Sequence, residues 1–130
     1  KLSDEVVILK LFPSMKKEYV ESILDLPYKG IILETFGAGN ATTSEWFLES
    51  IKKAIVEGKI MLNVSQCQSG SVSQGLYETS SKLEQIGVVS GKDMTTEAAL
   101  TKLMYLLGSD YSNTKIKEYL QISLRGELSN

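Results

Sequence analysis

The feature that most constrains this chain is alternation. Short apolar runs rich in β-branched residues occupy positions 6–12 (VVILKLF), 30–36 (GIILETF) and 60–64 (IMLNV), with a weaker one at 88–90. Each is followed by a stretch whose apolar residues return at helical spacing. The repeat of strand and helix, roughly every 25 to 30 residues, predicts an α/β domain. Its core is a small parallel sheet of about four strands. Helices flank both faces in a three-layer, flavodoxin- or Rossmann-like arrangement with right-handed crossovers.

The helical segments carry their own start and stop signals. Met15, Tyr19, Val20, Ile23 and Leu24 form one stripe, which Ser14 can cap. Thr42 and Glu45 have the spacing of a capping box, and Phe47, Ile51, Ala54 and Ile55 form the buried face behind it. That helix is expected to run to Glu57 and stop at Gly58. Residues 65–75 read as a loop and 80–86 as a short helix with Leu83 and Ile86 inward. Leu100, Leu103, Met104 and Leu107 define a helix over 95–107, and Ile116, Tyr119 and Leu120 a last one before a polar tail.

Composition narrows the function. One hundred and thirty residues make one domain, and no repeat or low-complexity tract divides them. The net charge of −2 argues against a nucleic-acid partner, which needs a basic face. No apolar run has the length of a membrane span. The single cysteine excludes an internal disulfide and a thiolate zinc cage. No histidine is present, so Ser-His-Asp and Cys-His relays and HExxH zinc sites are excluded. Nothing requires a cofactor, and none is expected. The chain starts at Lys1 rather than Met and is expected to be a piece of something longer.

In open parallel sheets ligands bind beyond the carboxyl ends of the strands. Residues 35–43 and 65–79 fall there, and both are rich in Gly, Ser, Thr, Asn and Gln. Gly37-Ala38-Gly39-Asn40 opens a helix, whose free N–H groups could hold a small anion. It lacks the third glycine of a dinucleotide fingerprint, since position 42 is Thr, and on spacing alone a plain tight strand-to-helix turn is the favoured reading. Cys67 has no base beside it and reads as a small thiol filling loop space. Asn63, Ser65 and Gln66 offer uncharged donors and acceptors suited to an amide or carboxylate rather than a metal. Trp46 beside Phe47 fits core or an interdomain face, and Asp93 and Glu97 fit a helix start.

The strings GIILETFGAGN (30–40), NVSQCQSGSVSQGLYET (63–79), VVSGKDMTTEAALTKLMYLL (88–107) and LRGEL (124–128) resemble the C-terminal domain of bacterial cytoplasmic-type (type I) L-asparaginases. The similarity runs from Val6 to Leu128. It implies a cytoplasmic amidohydrolase of two α/β domains that converts L-asparagine to L-aspartate and ammonia through a threonine acyl-enzyme. The nucleophile and its supporting groups belong to the N-terminal domain, whose TGGTI-like and TDT-like motifs are absent here. This chain is then the small domain, 1–130, without catalytic residues and inactive alone. Its implied partners are that N-terminal domain and further copies in a dimer or dimer of dimers.

The resemblance implies two roles. One is the subunit interface, with Tyr77 and Thr79 near a partner's active site. Ala38 stands where periplasmic-type relatives have an asparagine. The other is an effector site for L-asparagine or L-aspartate, with Thr35, Asn40, Ser65, Gln66 and Cys67 as candidates. Glu34 replaces an arginine usual at that site, and a carboxylate would repel the effector's own, so weak or absent activation is expected. A different reading is a stand-alone amino-acid-binding regulatory module without catalysis. A gene with no threonine-rich catalytic half upstream would favour it.

Overall fold

Strand β1 (Val6–Lys10) leads through helix α1 (Lys17–Leu24) to β2 (Gly30–Thr35), and α2 (Glu45–Val56) leads to β3 (Ile60–Ser65). Helix α3 (Gln74–Gln85) leads to the two-residue β4 (Val89–Ser90), and α4 (Thr96–Leu107) and α5 (Asn113–Gln121) close the chain. This computed structural model describes residues 2–12, 14–35, 44–65, 74–91 and 94–122, without the side chains of Ser65 and residues 74–79.

The described strands form one parallel sheet in the order β1-β2-β3-β4. Successive crossovers of one hand, all travelling the same way across the sheet, put their helices on one face. The side chains agree. Leu9, Ile31, Leu33 and Met61 pack with Val20 and Leu24 of α1, Phe47, Ile51 and Ala54 of α2, and Leu83 of α3. Ile32, Ile60, Leu62, Val64 and Val89 point the other way, against Ala99, Leu103 and Leu106 of α4 and Ile116 and Leu120 of α5. The three expected layers are present, and α4 with α5 make the third. Unlike the doubly wound orders, this one has no reversal, so no switch-point crevice opens between described strands.

The pleat explains how β2 serves both layers. All six of its residues are buried, and its apolar run faces alternately up and down. Gly30 lies where α4 crosses closely. A Cβ there would meet Leu107 Cδ1 at 2.8 Å and Leu103 Cδ2 at 2.9 Å.

Several local expectations shift. Ser14 does not cap α1. It takes φ 66°, and Lys16 occupies the N-cap position. Helix α2 starts from Ser44 rather than from a Thr42–Glu45 box; Thr42 lies outside the described residues. Its end is as expected, with Gly58 at φ 107°. Helix α3 begins at Gln74, inside the stretch read as loop, and carries Gly75 in its first turn. On α4 the fully buried stripe is Ala99, Lys102, Leu103 and Leu106, while Leu100 and Leu107 are partly buried at the flank of the second core. The buried Lys102 is possible because its Nζ donates to the Ile122 carbonyl beyond α5 at 2.7 Å.

Candidate functional site

The carboxyl ends of the strands carry the polar groups that the core does not. Four polar or charged residues are buried among the described ones: Glu34, Thr35, Asn63 and Lys102. Three of the four sit at this edge, on the last residues of β2 and the middle of β3.

Glu34 points towards the α4 face. It pairs in register with Val64, whose side chain is in the second core. Its carboxylate accepts a 2.5 Å hydrogen bond from the Thr96 hydroxyl in the first turn of α4. The positive end of α4 favours a negative group there. Lys10, its register neighbour on β1, stands 3.8 Å from the same carboxylate with its own side chain largely exposed. Glu34 therefore fastens β2 to α4, on the sheet face opposite Thr35.

Thr35 and Asn63 point to the other face. The hydroxyl of Thr35, 1% exposed, donates to the Val64 carbonyl at 3.2 Å. The Asn63 side chain, 5% exposed, donates from Nδ2 to Ser80 Oγ on α3 at 3.4 Å, while its Oδ1 has no hydrogen-bond partner. The Asn63 carbonyl takes the Gly91 amide at 2.7 Å, and a Cβ at Gly91 would come within 2.9 Å of that oxygen. Glycine is needed there so that the chain leaving β4 can pass this close to β3.

Of the sequence candidates, Thr35 is thus placed at the edge and buried. Ser65 ends β3 in register with Thr35, with only its backbone described. Tyr77 and Thr79 lie on α3, again by backbone alone. Asn40, Gln66, Cys67 and Ala38 lie outside the described residues. Two partners escape a reading of the sequence. Thr96 is 62 positions from Glu34 and Ser80 is 17 from Asn63, and no local pattern links either pair. Trp46 is partly buried against the first core, edge-on to Phe47 at 5.9 Å.

The opposite, amino end of the sheet holds a cleft of about 550 Å³ between the loops entering β2 and β3. Two of its polar side chains tie its walls together. Lys59 Nζ donates to the carbonyls of Leu26 at 2.8 Å and Tyr28 at 2.6 Å, and Asn113 donates to the Gly58 carbonyl at 3.0 Å. Among the described residues no His, Cys, Asp and Glu cluster could hold a metal, and no helix is long and apolar enough to cross a membrane.

Residues 5–120 match the model of the glutaminase/asparaginase C-terminal domain. The chain is 38% identical over 122 residues to L-asparaginase 1 of Escherichia coli K12, covering 94% of this chain and 36% of that protein. It is 41% identical over 130 residues to the L-asparaginase of Dirofilaria immitis, covering 98% of this chain and 22% of that one. The crystal structure of L-asparaginase I from Vibrio cholerae superposes with a TM-score of 0.84 at 39% identity, covering 97% of this chain and 38% of that chain. The chain thus spans between about a fifth and two fifths of the length of these relatives. By a match that takes in every described strand and nearly all of the last helix, the chain belongs to the glutaminase/asparaginase C-terminal domain family.

Proposed function

We propose that this chain is the C-terminal domain of an L-asparaginase, an amidohydrolase that releases ammonia from L-asparagine. In this reading a threonine nucleophile in an N-terminal domain does the chemistry. The 130 residues supply a subunit interface and an effector site for asparagine or aspartate at the carboxyl edge. The observation that carries the proposal is coverage. Nearly the whole chain matches three L-asparaginases, and in each it accounts for less than about two fifths of the length. The chemistry is compatible. Without histidine, and with Glu34 engaged by Thr96, the described edge assembles no nucleophile–base pair open to a substrate.

Glu34 bears on regulation. Glu34 stands where the resemblance expects an arginine, so this position supplies no cationic clamp for an effector's carboxylate. The effector site is therefore weak, and the enzyme formed with its N-terminal domain responds hyperbolically to L-asparagine. The test is ammonia release against L-asparagine concentration for that two-domain enzyme. A hyperbolic curve is expected, and a sigmoidal one would contradict the role given to Glu34. No turnover at any concentration would reject the amidohydrolase reading itself.

A further inference from the structure

We propose that the outer edge of β1 pairs antiparallel with β1 of a second copy across a twofold axis centred on Ile8, joining two four-stranded sheets into one. This lateral contact is separate from the carboxyl edge and needs neither an effector nor an N-terminal domain.

The ladder tells which backbone groups face outward. Among the described strands β1 pairs only with β2, at the end of the order β1-β2-β3-β4. The Glu5 carbonyl accepts from the Gly30 amide at 3.0 Å, and the Leu11 amide donates to the Glu34 carbonyl at 2.9 Å. In a parallel ladder the bonding residues alternate, so Glu5, Val7, Leu9 and Leu11 turn their backbone groups towards β2. Val6 and Ile8 turn theirs outward, where no described strand meets them. The side chains do not shield this edge. Ile8, in the middle of the strand, is 38% exposed. Exposed Phe12 and Tyr19, with ring centres 5.9 Å apart, extend the apolar surface just past the strand's end. Edge strands are ordinarily blunted by charge, proline or a bulge. The one charge within β1 is Lys10, at its last position.

The residues of the edge select their own copy. Antiparallel pairing about Ile8 sets Ile8 against Ile8, the two exchanging both backbone bonds, and Val7 against Leu9. It places Lys10 diagonally across from the copy's Asp4, once on each side of the axis, and both residues are exposed. Other registers lose this complementarity. Parallel in-register pairing would set Lys10 on Lys10 and Asp4 on Asp4. An antiparallel pairing centred on Lys10 would oppose two ammonium groups, and one centred on Val6 would bring Asp4 against Ile8. The far edge limits growth. Strand β4 has two residues, too few to seed a further strand, so the pairing closes at two copies instead of running on as a fibre.

The experiment is sedimentation equilibrium of the 130-residue chain across a range of concentrations, with amide hydrogen exchange measured at both ends of that range. A five-residue strand makes a small interface, so a dissociation constant on the order of 100 μM is expected. The Ile8 amide should exchange fast in dilute protein and slowly at about 1 mM, while the Val7 and Leu9 amides, bonded to β2, stay protected throughout. Ile8→Pro removes only an outward N–H, and Ile8→Lys opposes two ammonium groups. Each should weaken the dimer by about tenfold or more and leave the circular dichroism of the fold unchanged. A chain that stays monomeric at about 1 mM would overturn the proposal. So would a dimer whose Ile8 amide exchanges as fast as in the monomer, or one that both variants leave intact. If Ile8→Pro does not fold, Ile8→Lys and the exchange rates decide.

Discussion

Glu34 shows how one side chain can be read as charge or as structure. As charge it sits at the edge where an effector would bind. As structure it is a buried acceptor for Thr96 that ties the central strand to α4. The Lys10 ammonium at 3.8 Å is exposed and adds little. Glu34→Ala should therefore lower stability by about 1–3 kcal/mol, and Glu34→Gln, which still accepts from Thr96, by clearly less. Chemical denaturation of both variants checks this; equal losses would mean that the ion pair dominates. Gly91 makes a second residue-scale prediction. Its absent Cβ keeps the β4 exit within 2.7 Å hydrogen-bonding distance of Asn63. Gly91→Ala would press on a backbone oxygen, which moves less readily than a side chain. A loss of about 1–3 kcal/mol in the same assay is expected.

At the scale of elements, caps and turns carry the testable detail. The Thr95 side chain accepts from the Ala98 amide and starts α4, the helix that covers β2. Thr95→Ala should cost about 1 kcal/mol. Ser14, at φ 66°, holds a left-handed conformation that glycine adopts freely. Ser14→Gly should leave the thermal midpoint unchanged or raise it slightly, whereas Ser14→Val should lower it. A stabilised Ser14→Val would refute the left-handed turn.

These same elements show what is legible in the chain of residues. The three long strands and helices α2, α4 and α5 can be read because apolar periodicity reports which face is buried. Helix α3 reads too short, since its first half, QGLYETS, has no apolar stripe and contains a glycine. Ser14 is recognisable as punctuation but not as a left-handed turn rather than a cap. Strand order is not readable, because any order satisfies the same alternation. At the edge, the polar character of Thr35 and Asn63 is visible. Their burial is not, nor the Glu34–Thr96 bond, because each depends on which strand and helix ends the topology brings together.

For the whole molecule, the sheet order has a functional consequence. Three crossovers on one face and two terminal helices on the other cover both sides of the sheet without a reversal among the described strands. The usual crevice for a ligand is missing from the described residues, and the polar groups gather along one rim instead. A rim without its own cleft suits a domain that completes a site against another domain or subunit, as proposed here. The most direct measurement is ammonia release from L-asparagine by the purified 130-residue chain, alongside its Cys67→Ser variant. No release from either is predicted, because the nucleophile is assigned to another domain. Steady turnover that survives repurification and disappears in Cys67→Ser would place the catalyst within this chain and contradict the account.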